Sequence, residues 1–498
     1  CKMRRWVSGL LFILASSAAL PVQEDLIMVK VDLARAVGQV DPRFLSVTVD
    51  SSQLVGSTFW GQSGEFHFNN SVLIQLASAL APAYLRVGGT DGDKIFYDFS
   101  TIPTTQPPPG YSEVLNETQF DALVAFVKAV GFELVFGLNG GPGPRGGSNQ
   151  PWTPNNARIV LERAKQLGAP LAAVELSNEP NLFFANFGLH SIVTPHELAR
   201  DYGTLRQLVS SVLPDVKIAG PDVAFQLPFV GELVPFLPDF AKAVGDNVDV
   251  LTYHWYPLDS ERCPAAKIDP LTARHPTQLI SHSLRRRQQQ HIAAATRDVF
   301  QRPVWLGETS SVSCGGAKNI SNAFASTLWW AVELGMAAAA GNEAVMRQTL
   351  SGSVYGLIDG NNNFTPNPDY WLSVLYRRIV GVKVLSVQHT RQNDVDVFAH
   401  CANGVSGAVA LLLVNSGRTN QTVSADITHT ASQFDVYSLT AQDLTSRTVL
   451  LNGNQLHADA SGKLPTLPPI QRAPGPVPLP PYSVTFVVVH GSFDVCVA

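Results

Sequence analysis

Charge is scarce in this sequence. Only 15% of its 498 residues are Asp, Glu, Lys or Arg, where an ordinary soluble chain carries about 25%, and 45% are hydrophobic. That balance excludes a disordered chain and implies a large core. Neither sign dominates: 35 Lys and Arg against 40 Asp and Glu leave a net charge of −5, with no basic excess to neutralise phosphates, which argues against nucleic acid as a partner. Cysteine is rare too, five residues in all, too few for a small disulfide-built scaffold. Glycine and proline are near average and show no triplet period, which removes the fibrous classes. The one long apolar stretch beyond the N-terminus, 323–341, is broken by Glu333 and flanked by Asn322 and Asn342, so it reads as a buried helix rather than a membrane span of ~20 residues. No Gly-rich phosphate or dinucleotide loop opens a helix, and no Cys or His spacing suits zinc; no cofactor and no metal are expected.

The N-terminus does carry a signal. Arg4 and Arg5 precede an apolar run from Trp6 to Leu14, followed by small residues and then by Gln23, Glu24 and Asp25. With a start at Met3, residues 1–22 are expected to be a secretory signal peptide, too short in its apolar part to anchor the chain. The mature chain is then expected to be secreted, with a lysosomal or membrane-associated location as the alternative. An oxidising destination makes Cys263, Cys314, Cys401 and Cys496 candidates for disulfides, with three possible connectivities. Asn69, Asn116, Asn319, Asn363 and Asn420 each open a glycosylation triplet.

Between residues 45 and 381, short β-branched runs alternate with longer helical patterns. Strands are expected at 45–50, 84–88, 134–139, 173–177, 217–221, 248–255, 304–307 and 344–348. Helices are expected at 71–80, 117–130, 156–167, 195–213, 233–244, 281–300, 321–341 and 369–380. Eight such pairs predict parallel strands closed into a (β/α)8 TIM barrel over 42–381. A doubly wound open sheet is the rival. After Gly381 the helical period disappears, and strand-like segments at 394–399, 408–414, 422–427, 434–439, 447–451 and 484–489 predict a C-terminal β-sandwich built from 23–41 plus 382–498. The Pro-rich stretch 465–481 reads as a loop inside it, and Cys496 as part of the last strand.

Chemistry in such a barrel sits at the carboxyl ends of the strands. Two carboxylates stand there: Glu179, after the fourth strand in ELSNEPN (175–181), and Glu308, after the seventh in WLGETSS (305–311). Strands four and seven face each other, and two carboxyl groups roughly 5 Å apart are what retaining glycoside hydrolysis requires. These segments, with LSVTVD (45–50), AYLRVGGT (83–90), VMRQ (345–348) and PDYWLS (368–373), resemble the heparanase and β-glucuronidase family, glycoside hydrolase family 79. The likeness spans nearly the whole expected barrel.

That resemblance implies Glu179 as acid/base, Glu308 as nucleophile, and Asn178 as the group that hydrogen-bonds the sugar 2-hydroxyl. Arg86 and Tyr256 match groups that hydrogen-bond the nucleophile, and His254 matches a pocket histidine. Asp50, Thr90, Gln348 and Tyr355 match substrate-contacting positions, and Gln226 does so more loosely because Phe225 stands inserted beside it. Backbone N–H groups of a Gly-rich loop after the nucleophile hold the sugar carboxylate in the family. Here that loop is 312–316, with Gly315 retained, Ser313 in place of a tyrosine and Cys314 in place of a glycine. Cys401 and Cys496 fit the family's sandwich disulfide. Cys263 follows strand six and Cys314 strand seven, adjacent loops on one face, and a bridge between them is expected to pin the loop beside the nucleophile.

The expected substrate is a uronic-acid-containing glycan or glycoconjugate. Only a short Pro-rich loop, 101–110, lies where heparanase has an excised linker, the lysine the family places after NEPN is Ala185, and 116–141 holds the single lysine Lys128. Arg285, Arg286 and Arg287 sit on a helical pattern and read as a solvated outer face. Weak cationic character favours a β-glucuronidase of less sulfated substrates. The alternatives are an endo-acting heparanase on heparan sulfate, a glycosidase of neutral sugars, and a catalytically silent glycan-binding homologue.

Overall fold

The computed structural model describes residues 26–58, 60, 66–146, 150–224, 236–264, 266–267, 269–296, 302–390 and 394–497. The expected signal peptide and Gln226 lie outside the described residues. Eight parallel strands form a closed barrel in chain order: β1 (Leu45–Asp50), β2 (Tyr84–Gly88), β3 (Glu133–Leu138), β4 (Leu171–Leu176), β5 (Lys217–Ala224), β6 (Val250–Trp255), β7 (Val304–Thr309) and β8 (Ala344–Arg347). The helices that follow them are α1 (Ser71–Ser78), α2 (Glu117–Val130), α3 (Asn155–Leu167), α4 (Pro195–Val212), α5 (Phe236–Ala243), α6 (His282–Ala295), α7 (Phe324–Ala339) and α8 (Pro368–Ile379). The open-sheet alternative is thereby excluded.

Local chemistry explains the borders. Asn116 accepts a hydrogen bond from the Gln119 N–H while the Gln119 side-chain oxygen accepts one from the Asn116 N–H, and Gly131 ends α2 in the left-handed region. Thr194 and Glu197 make the same reciprocal cap at α4, with Pro195 in the first turn. Inside the barrel every second strand residue points inward. A lower apolar layer consists of Tyr84, Val135, Ala173, Ala219, Val250, Trp305, Ala344 and Met346, with the Tyr84 and Trp305 rings stacked at 5.0 Å.

Beyond the barrel, a nine-stranded sheet packs on a four-stranded one. Its strands Val395–Ala402, Val409–Asn415 and Ser483–His490 are buried on both faces: Val397, Leu411 and Val487 point at the smaller sheet, Leu412 and Phe486 at the barrel side. The strand Leu26–Val31 joins the smaller sheet, antiparallel to Val387–His389 and parallel to Gln421–Ala425. α7 is wedged between barrel and nine-stranded sheet, which is why 14 of its 16 residues are buried. A Cβ at Gly335 would come within 2.2 Å of the Phe398 ring, so only glycine permits this approach. Among the described residues no helix is long and apolar enough to cross a membrane.

Three expectations need correction. The Pro-rich stretch is not all loop: it contains the strands Ile470–Arg472 and Val477–Leu479, and Pro478 is tolerated because its strand is the edge of the smaller sheet. Cys496 lies past the last strand, in a helical turn at Asp494–Cys496. Arg285 is not on a solvated face: it is buried and ion-paired with Asp396 and Asp394 of the sandwich, beside a cleft of about 660 Å³ between α6, α7 and the nine-stranded sheet. The arginine spacing told which side of α6 was polar, but not that a second layer covers it.

Candidate active site

The mouth of the barrel is built by breaking the inward–outward alternation. On β7 the inward side chain Trp305 would leave position 308 pointing out. Tyr253 pairs with Leu306 but His254 pairs with Glu308, so Gly307 is an extra residue and the bulge turns Glu308 into the barrel. β5 does the same: Leu251 pairs with Gly220 and Tyr253 with Val223, and the extra residue brings Asp222 inward with φ +54°. At the end of β4, Ser177 and Glu179 also take positive φ, 77° and 49°. Left-handed backbone at non-glycine residues costs about 1–3 kcal/mol each, and its concentration here marks a site over-determined by its surroundings. The Glu179 N–H donates to the Asp222 carbonyl at 2.8 Å, and the Asn178 N–H to Asp93 Oδ2 at 2.7 Å.

Arg86 organises the centre. Its Nε donates to Glu175 Oε2 at 2.7 Å, Nη1 to Glu308 Oε2 at 2.8 Å and Nη2 to Asn178 Oδ1 at 3.1 Å, while Asp222 Oδ1 stands 4.0 Å away. The guanidinium fits only because residue 88 is glycine, whose Cβ would otherwise lie 2.6 Å from it. Tyr256 Oη donates to the other Glu308 oxygen at 2.6 Å. Glu308 is thus held through both oxygens.

Across the mouth, His254 Nδ1 lies 3.3 Å from Glu179 Oε1 and Nε2 lies 3.3 Å from Asp222 Oδ1. Burial and the Arg86 charge push the imidazole pKa down, but Glu308, Asp222 and Glu179 outweigh them and raise it to about 9. Burial pushes Glu175 up to about 8 despite Arg86. For Asp222 burial is overcome by Arg86 and His254, which hold its carboxyl below the usual range. One oxygen each of Glu179 and Glu308 and a nitrogen of His254 lie within 4.8 Å of one another. Such a triad has ligand chemistry, and the Arg86 guanidinium places a cation against its Glu308 member.

The remaining expected residues line the same end. Burial raises Asp50 to about 7, although Ser52 donates to it through N–H and hydroxyl. Gln348 accepts a short hydrogen bond from Thr48 and donates to Tyr355 Oη at 3.3 Å. Thr90, half-buried, follows Gly89 at the end of β2. Cys314 is bridged to Cys263, and Cys401 to Cys496. Cys314, Gly315 and Gly316 all have positive φ, and the Gly315 carbonyl is held by the Ser353 hydroxyl and the Val354 N–H. A Cβ at Gly315 would sit 2.6 Å from that of Trp60. Sequence reasoning missed Glu175, Asp222 and Asp93. Asp222 follows Pro221, which reads as a strand terminator; Glu175 and Asp93 show their role only through Arg86, Asn178 and Gly140.

A closed eight-stranded barrel that brings two carboxylates together from β4 and β7, with an Arg–Tyr clamp on one, is the architecture of a glycoside hydrolase, and this chain is one. It belongs to glycosyl hydrolase family 79, whose N-terminal domain model matches residues 26–335. The chain is 30% identical to a heparanase of Mus musculus over 98% of both chains, and 28% identical to a baicalin-β-D-glucuronidase of Scutellaria baicalensis over 95% of this chain and 94% of the other. Its fold is shared with a 4-O-α-L-rhamnosyl-β-D-glucuronidase of Fusarium oxysporum, at TM-score 0.66, 17% identity, and coverage of 93% of this chain and 100% of that one. An arabinofuranosidase of family 51 from Xanthomonas axonopodis pv. citri shares it as well, at TM-score 0.67, 14% identity and the same coverage.

Proposed function

We propose that this chain hydrolyses β-linked glucuronic acid from glycans or glycoconjugates by double displacement with retention. Glu308 attacks the anomeric carbon while Glu179 gives its proton to the leaving oxygen, and the aglycone departs as an alcohol. Water then attacks the glycosyl ester, loses its proton to Glu179, and Glu308 leaves as a carboxylate. The observation that carries the reading is the approach of the two carboxyl groups, an oxygen of each lying within 4.8 Å of the other, a spacing nearer that of retaining than of inverting enzymes. Asn178, fixed by Arg86 and the Gly89 N–H, is placed to meet the 2-hydroxyl.

For the sugar carboxylate, the support is the loop at Cys314–Gly316. Among the described residues the Gly315 N–H donates to no protein acceptor, which leaves it as the donor proposed for an anion, and the disulfide to Cys263 limits the loop's motion. The net charge of −5 favours substrates with little sulfate over heparan sulfate. Secretion is part of the proposal and is supported by the two disulfides, which persist in oxidising compartments. The test compares aryl β-glucuronide, β-glucoside and α-arabinofuranoside, with the anomer of the first-formed sugar followed by NMR. Release from the glucuronide alone, first as the β-anomer, is expected. An α-anomer would overturn the mechanism, and preference for a neutral sugar would overturn the specificity. Chain shortening of heparan sulfate without release from the small glucuronide would favour the endo-acting alternative.

A further inference from the structure

We propose that Asp222 is a positioning residue for the acid/base step, acting on Glu179 through His254. The inference rests on the acid/base role assigned to Glu179 above and deepens it. Three features carry it. Asp222 reaches the barrel interior through the β5 bulge and a positive φ, a costly placement for a fully buried residue. Its carboxylate faces His254 Nε2 at 3.3 Å, while the opposite ring nitrogen faces Glu179 Oε1 at the same distance. Its main chain is tied into the site as well: the carbonyl accepts the Glu179 N–H and the N–H donates to Thr252 Oγ1, so acid and anchor are held as one unit.

The chemistry follows from charge. When Glu179 hands its proton to the leaving oxygen, a carboxylate appears beside His254. An imidazolium fixed in that orientation stabilises the charge that appears as the proton leaves. His254 is buried next to Arg86, so it needs an opposing carboxylate to stay protonated, and Asp222, fully buried, is the one that faces its Nε2. Its own ionisation is maintained by Arg86, 4.0 Å away, while Glu175 on the other side of that guanidinium takes up a proton more readily. Proton transfer matters most when the leaving group is a poor one, so Asp222 should affect substrates unequally.

Turnover of an aryl β-glucuronide with an activated phenol and of an alkyl β-glucuronide is compared in the wild type, Asp222→Asn, His254→Gln and the double variant. Each rate is referred to competent sites counted by covalent trapping with a 2-fluoro glucuronide. Asp222→Asn is expected to lower the alkyl substrate's kcat by about 10-fold or more and the activated substrate's by less than about 3-fold. The double variant should lose no more than His254→Gln alone, because both act through one link. Equal losses on the two substrates, or additive losses in the double variant, would overturn the inference and leave the glucuronidase reading intact. A wild type inert on both substrates would overturn that reading and the inference with it. Should Asp222→Asn fail to fold, His254→Gln breaks the same link from its other end, and an equal loss there is the overturning result.

Discussion

The lower and upper halves of the barrel interior are built from the same strands, one inward position apart, and they are chemically opposite. Tyr84, Ala173 and Val250 form an apolar layer; two residues on, Arg86, Glu175 and Thr252 begin a polar one, and His254 completes it. The lower layer contributes stability through packing. In the upper layer Glu175 Oε1 and Ser177 Oγ are buried with no hydrogen-bond partner among the described residues, the backbone takes positive φ at Ser177, Glu179 and Asp222, and carboxylates crowd two cations. The unpaired buried oxygens and the left-handed backbone are unfavourable for folding, and the ion pairs must offset the desolvation of their own charges. The difference teaches that the apolar layer and the surrounding helices hold a charged site that would not assemble by itself.

Exchanges that separate the layers sharpen this contrast. Glu308→Gln should fold with little change in Tm while turnover falls by about 10⁴-fold or more, measured with the activated aryl glucuronide. Glu179→Gln should lower the rate on alkyl glucuronides by roughly 10²–10³-fold yet spare the first step for activated phenols, seen as a burst of phenol release. Trp305→Ala in the lower layer should behave in the reverse sense: a loss of about 3–5 kcal/mol in urea unfolding, with kcat of the remaining folded molecules changed far less than by either glutamate exchange. A comparable loss of turnover per folded molecule in Trp305→Ala would erase the distinction.

The smallest effect expected is on pH. Burial raises Asp50 from 3.8 to about 7 and Glu175 from 4.5 to about 8, and neighbouring carboxylates raise His254 from 6.5 to about 9. All three bind protons more tightly in the fold than in the unfolded chain. Their contribution is therefore full below the unfolded values and is lost as pH rises through the folded ones. Tm should fall between pH 5 and pH 9, and His254→Gln should lessen the fall between about 6.5 and 9. A Tm that rises over that interval would contradict the assignment.

Much of this was legible in the sequence. Buried parallel strands carry short β-branched runs, and helices between them carry a 3.6-residue period, so β1, β2 and α2 have the bounds their patterns predict. Glu179 and Glu308 stood out because charge at the end of an apolar run needs a reason. Asp222 and Glu175 did not, since a bulge after Gly220–Pro221 has the same local composition as a strand end, and an acidic residue inside a strand reveals its guanidinium partner only in three dimensions. Arg285 illustrates the same limit: a helix period reports one polar side and is silent about a sheet that will cover it.

The strand Leu26–Val31 pairs in parallel with Gln421–Ala425, on the far side of the whole barrel in the chain. During synthesis the earlier strand leaves the ribosome with its hydrogen-bonding edge bare, and at ordinary elongation rates its partner emerges only after ~20–80 s. The barrel has its complete set of strands before the small sheet can close, and the exposed ribbon must be kept from foreign edges throughout that interval.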